Sequence, residues 1–143
     1  MAFTIHRGTR LGRARAWDAL TDLRSHTRHV PLTEVEVHGP ELALGTEVVA
    51  VTRLGPLAAA DRMLVTALAP GRRLRLVKTG WLLRGWADIE VTERPGGVEV
   101  DWTEELWLPG LRRLTRPLGD LLGPLLFGRV VDGLLAEVDD GAA

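Results

Sequence analysis

The 143-residue chain changes its hydrophobic period three times. Residues 3–7, Phe-Thr-Ile-His-Arg, alternate and read as a short first strand. Over residues 11–23 the period lengthens. Ala16, Leu20 and Leu23 recur at steps of four and three beside Trp17, while Arg13, Arg15 and Asp18 take the rest of the circumference; this predicts a helix with one apolar face. Pro31 disfavours helical geometry at Val30 and ends this helical region. From there to residue 107 the period is two, in six runs: 33–37, 45–54, 59–68, 72–78, 83–91 and 97–107. The short separators, among them Gly-Pro-Leu-Ala, Ala-Pro-Gly and Arg-Pro-Gly-Gly, are turn chemistry. Strands joined this tightly cannot be parallel, so the middle is an antiparallel meander. The end of the chain returns to helical spacing. Leu111, Leu114, Leu118, Leu121 and Leu125, joined by Leu122, Leu126, Val130 and Leu134, predict a long amphipathic helix that begins raggedly and kinks at Pro117 or Pro124.

Parity along the strands predicts which face is inside. The last run sets Val98, Val100, Trp102, Glu104 and Leu106 against Glu99, Asp101, Thr103 and Glu105. The run before it sets Ala87, Ile89 and Val91 against Trp86, Asp88 and Glu90; before that, Leu74 and Leu76 oppose Arg73 and Arg75. Such alternation belongs to a sheet with one wet face. Its apolar face needs a cover, and the C-terminal helix is the only long element able to supply it.

Composition narrows the chemistry. The length suits a single domain over residues 1–143, with 45% apolar and 26% charged residues. A net charge of −1 gives no general attraction for nucleic acid or anionic lipid. The absence of cysteine removes disulfides, thiolate zinc sites and cysteine nucleophiles, and fits a cytoplasmic protein. Tyrosine is also absent, so no phenol can serve as a general acid. Neither the charged N-terminus nor the leucine-rich end, interrupted by Asp120, Pro124, Arg129 and Asp132, reads as a signal peptide or an integral membrane span. No P-loop, dinucleotide fingerprint or metalloprotease signature occurs, and the lone serine, Ser25, has His29 nearby but no third group for a triad.

Four stretches together carry a resemblance: residues 13–31 after the first strand, Pro-Gly-Arg-Arg-Leu-Arg-Leu at 70–76, Gly-Gly-Val-Glu-Val-Asp-Trp-Thr-Glu-Glu-Leu at 96–106, and the leucine-rich terminal helix. In this order they resemble the START-like SRPBCC superfamily, in its polyketide cyclase/dehydrase and lipid-transport branch. The resemblance covers nearly the whole chain but includes no invariant catalytic motif. It implies an α+β helix-grip fold: a curved antiparallel sheet wrapped around a long C-terminal helix, with two small helices after the first strand. It also implies an apolar cavity between sheet and helix, taking a lipid, polyketide, sterol or similar molecule. Some members are cyclases or dehydrases and others are carriers or partners of larger proteins, so the fold alone selects no function.

Within that frame the candidate ligand-binding residues are His26, His29, Met63, Trp102, Glu104, Leu118, Leu122 and Leu126. Glu104 shares a face with Trp102 and Val100, where an unpaired charge is costly; it is either a cavity anchor or base, a residue exposed by a bulge, or the partner of an arginine. Asp22, His26 and His29 have spacing that could hold zinc, yet the segment is short and stops at Pro31. A solvated helix end, or a place at the cavity mouth, fits it better, and no metal or cofactor is expected. Lys78 and Asp61 share parity with core residues but stand near strand ends, where alternation fails, and are expected to be exposed. Trp17 is expected in the core, while Trp81, Trp86 and Trp107 are candidates for a partner surface. Arg112, Arg113 and Arg116 are expected to form a solvated turn before the helix. These residues predict binding of a small hydrophobic molecule. The alternatives are a polyketide cyclase/dehydrase-type enzyme, or a partner-binding domain with a filled core; a homodimer or a protein partner is the candidate assembly.

Overall fold

The computed structural model describes residues 2–141, with side chains through residue 136. It contains strands β1 (Phe3–Thr9), β2 (Thr33–Val37), β3 (Glu47–Leu54), β4 (Leu57–Ala69), β5 (Arg73–Lys78), β6 (Arg84–Arg94) and β7 (Gly97–Trp107). Helix α1 (Arg13–Thr21) and a 3-10 segment (Leu23–Arg28) follow β1, and α2 (Arg112–Gly141) closes the chain. The seven strands form one antiparallel sheet in the order β1-β7-β6-β5-β4-β3-β2. Six of them are the sequential meander expected from the period-two runs. β1 pairs with β7, so β1 and β2, consecutive in sequence, lie at opposite edges, and α1 with the 3-10 segment crosses between them. The sheet is curled and α2 runs beside it, giving a helix-grip arrangement.

Strand parity is realised as read. Val98, Val100, Trp102, Ala87, Ile89, Val91, Leu74 and Leu76 are buried and join Phe3, Ile5, Trp17 and Leu20 in one core. On the outer face Asp88 is also buried, because Arg73 and Arg75 fold over it (Arg75 Nη1 to Asp88 Oδ2, 3.3 Å). A bulge between Val65 and Ala67 breaks the β4–β5 register, whereas the β6–β7 ladder is continuous from Arg84–Trp107 to Arg94–Gly97.

The long helix differs from expectation in which side it turns inward. Its second half behaves as a cover: Val130, Val131, Leu134 and Leu135 are buried. Its first half approaches the sheet through glycines. Gly119 lies against Leu106, and Gly123 against the ring of Phe3 so closely that a Cβ there would overlap the ring. That approach points the leucines between residues 114 and 126 outward, and both prolines are interior positions of one continuous helix. Arg112 and Arg116 belong to the helix rather than to a preceding turn; Arg116 Nε lies 2.9 Å from Glu105 Oε1, and Arg112 stacks on Trp107 at 4.4 Å. Among the described residues no helix is long and apolar enough to cross a membrane.

Candidate functional site

The core does not fill the whole concave face. Where β2 to β7 curl past the 3-10 segment, a cavity of about 190 Å3 remains. Most of its wall is apolar, including Leu23, Val35, Val48, Ala50, Met63, Leu76 and Phe127. A run of rings, Phe3–Phe127 (6.1 Å), Phe127–Trp102 (5.9 Å) and Trp102–His26 (5.7 Å), joins the packed core to the hollow; the last three rings line the cavity.

Three ionisable side chains converge on it from three strands: Asp61 of β4, Lys78 of β5 and Glu104 of β7. Lys78 Nζ pairs directly with Asp61 Oδ2, stands 3.6 Å from Met63 Sδ, and lies 3.9 Å from Glu104 Oε1. The other oxygen of Glu104 accepts the indole N–H of Trp102 at 3.1 Å. Glu104 is only 2% exposed. Its burial raises the carboxyl from 4.5 to about 7, against the lowering effects of Lys78 and the Trp102 hydrogen bond; Asp61 adds to the rise. At neutral pH this group therefore samples both forms, one a hydrogen-bond acceptor and the other a donor. Asp61 keeps one buried oxygen, Oδ1, with no hydrogen-bond partner among the described residues.

Two further polar features lie in the wall. Thr33 and Thr52, paired across β2 and β3, link their hydroxyls at 2.8 Å. His26 places Nε2 3.0 Å from the Leu20 carbonyl, so that nitrogen carries the proton and Nδ1 is the acceptor of the neutral ring. Burial lowers the His26 pKa and favours that neutral form.

No protein-family model matches this sequence, and no curated protein matches it. Solved structures do. TTHA0849 from Thermus thermophilus aligns with a TM-score of 0.78 at 18% identity over 100% of both chains. Ara h 8.0201 aligns at 0.75 with 11% identity over 98% of each chain. The di-domain ARO/CYC StfQ from the steffimycin biosynthetic pathway aligns at 0.76 with 12% identity, over 99% of this chain and 52% of that one. At these identities the likeness concerns architecture, and the architecture is the same throughout. The chain has the helix-grip fold, which fits the SRPBCC architecture expected from the sequence.

In this helix-grip fold the residues singled out from sequence divide into two groups. His26, Met63, Trp102 and Glu104 line the cavity. His29, Leu118, Leu122 and Leu126 do not. His29 packs against Gly133 of α2, and the three leucines are exposed because the glycine approach of α2 turns them outward. From that helix the lining contains Phe127. The expectation for Lys78 and Asp61 is corrected: Lys78 is 6% exposed and the Asp61 side chain 21%, and both face the hollow. Their strands keep alternating to the positions that matter, with Met63 opposite Lys78 and Ala50 opposite Asp61. Parity with Leu74, Leu76 and Met63 was the available signal. Leu23 gave none beyond its place on the apolar face of the first helix, and Phe127 lies outside the leucine spacing of the last one.

Proposed function

We propose that the cavity binds a small, largely apolar molecule carrying one polar end, which Glu104 and Lys78 hold. The observation that carries this reading is a carboxyl only 2% exposed that lines a mostly apolar hollow, with the Trp102 indole N–H at 3.1 Å and Lys78 Nζ at 3.9 Å, where burial pushes it up. A buried ionisable group of this kind is costly to a fold, and an anchoring role gives it a use. Apolar burial at about 25 cal/mol per Å2 supplies most of the affinity and the polar end supplies orientation. An apolar cavity of about 150 Å3 accepts benzene, so the hollow here suits one or two rings, or a short branched chain, of lipid or polyketide character. Similarity to StfQ, an ARO/CYC, supports the polyketide-like class.

The experiment is native mass spectrometry of detergent-free protein against a panel of ring alcohols, ring carboxylic acids and short-chain acids. A one-to-one adduct that weakens in Glu104→Leu supports the reading. No adduct from any member, or adducts indifferent to Glu104, contradicts it.

A second reading shares the site. The carboxyl of Glu104, poised at about 7, is matched to proton transfer at neutral pH, as a cyclase or dehydrase requires. In that case Glu104→Gln keeps binding and loses turnover of a poly-β-ketone substrate.

A further inference from the structure

The first half of α2 carries an apolar surface that the domain does not use. Leu114, Leu118, Leu121, Leu122 and Leu125 are 56–71% exposed, Leu126 is 40% exposed, and Leu111, just ahead of the helix, is 50% exposed. At 3.6 residues per turn all of them fall within an arc of about 140°. Gly123, Phe127, Val130 and Leu134, which face the sheet and core, occupy the opposite side. Leu111, Leu114, Leu118, Leu121 and Leu125 alternate steps of three and four, the a and d spacing of paired helices. The charged residues nearest in sequence, Arg112, Arg113, Arg116 and Asp120, all lie off the arc, and the seam ends where Arg129 and Asp132 enter it.

We infer that this leucine seam is the interface of a homodimer, in which α2 packs against α2 of a second copy. Area supports a second copy. The exposed leucine surface is on the order of 700 Å2, against about 800 Å2 per partner in a standard interface and a few hundred Å2 of unused apolar patch on a monomer. A heptad seam is also complementary to itself, as a two-fold interface requires. The helices run antiparallel about a two-fold near Leu118, because a parallel pairing would set Arg112 and Arg113 of one copy beside the same arginines of the other. An anionic membrane fits less well. Interfacial helices present several free basic residues beside the apolar stripe, whereas here Arg116 is taken by Glu105 and Arg112 lies over Trp107, which leaves Arg113, off the arc, and Arg129, at its end.

Sedimentation velocity of the full chain across the micromolar range is expected to show a species of twice the 15.7 kDa chain mass. Leu118→Glu combined with Leu121→Glu, both at outward positions, should abolish that species and leave the circular dichroism spectrum unchanged. A second readout does not depend on that variant folding. The chain lacks cysteine, so Leu118→Cys supplies a single thiol near the two-fold, which should oxidise to a covalent dimer. Leu57→Cys, at the 70% exposed tip of the β3–β4 hairpin, should not. A monomer at every concentration overturns the inference. So does a dimer that survives the double substitution, or one that cross-links equally through Leu57→Cys. Binding of a monomer to phosphatidylcholine–phosphatidylserine vesicles, lost in the double variant, would also overturn it and assign the seam to lipid.

Discussion

Trp102 donates its indole N–H to the carboxyl of Glu104, two residues further along the same strand, at 3.1 Å. Residues two apart on a strand share a face and lie about 7 Å apart, so two long side chains can meet above the strand. Here they meet at the edge of a hollow, where Trp102 is also in contact with Phe127 and His26. The pair joins the packed half of the core to the polar end of the cavity, and several consequences of that can be measured.

Stability should fall as pH rises through the Glu104 titration. The carboxyl ionises near 4.5 in the unfolded chain and near 7 in the folded one. Below 4.5 both states hold the proton and burial of the group carries no ionic cost. Between 4.5 and 7 the unfolded chain releases a proton that the folded chain keeps, so about 3 kcal/mol is lost across this window and the loss is level above it. Glu104→Gln removes that slope. Denaturant melts should show the variant close to the native protein at pH 4.5 and more stable at pH 8. A variant less stable at pH 8 contradicts this.

Lys78 stands between Asp61 and Glu104. Lys78→Met leaves two carboxyls facing an apolar hollow without their cation, at a cost of about 3 kcal/mol in urea denaturation at pH 7. The same change pushes the Glu104 carboxyl further up, since the lysine is the largest of the effects holding it down. Adding Asp61→Asn should recover most of the loss. A double variant no more stable than Lys78→Met would show that the pair is not the source.

β5 and β7 were legible because their alternation is unbroken: Leu74 to Leu76 and Val98 to Glu104 face inward wherever parity puts them. Glu104 could be picked out for the same reason. Lys78 and Asp61 stand near strand ends, where irregularity was expected to outweigh parity, but the bulge in β4 falls beyond Asp61, between Val65 and Ala67, and parity holds at both. The leucines of α2 misled in the opposite direction. Hydrophobic spacing identifies an apolar stripe but not the surface that covers it, and the glycines at 119 and 123 decide which side of this helix meets the sheet.

Gly123 should therefore resist substitution even though alanine favours helix. A Cβ would enter the Phe3 ring, and overpacking of that kind costs about 1–3 kcal/mol, more than the ~1 kcal/mol gained in helix propensity. Gly123→Ala should lower the melting temperature, and Phe3→Leu in the same chain should restore part of it. An unchanged or higher melting temperature for Gly123→Ala alone contradicts the close approach of α2.

His26 should titrate below the usual histidine midpoint of 6.5, because burial disfavours the imidazolium more than the Leu20 carbonyl stabilises it. Charging it then favours the unfolded chain, so this residue removes stability as pH falls below 6.5. Imidazole resonances followed by NMR would report this. A midpoint at or above 6.5 contradicts the buried neutral ring.

The binding claim is tested most directly at the Trp102 indole. The chain has five tryptophans, and among the described residues Trp102 alone donates its indole N–H to a cavity carboxyl. In a titration with a two-ring alcohol such as 2-naphthol, followed by proton–nitrogen NMR, the Trp102 indole resonance, assigned through Trp102→Phe, should move saturably. The exposed Trp81 resonance should stay in place. A Trp102 signal that does not move, or that moves only in step with Trp81, would contradict ligand binding in the cavity.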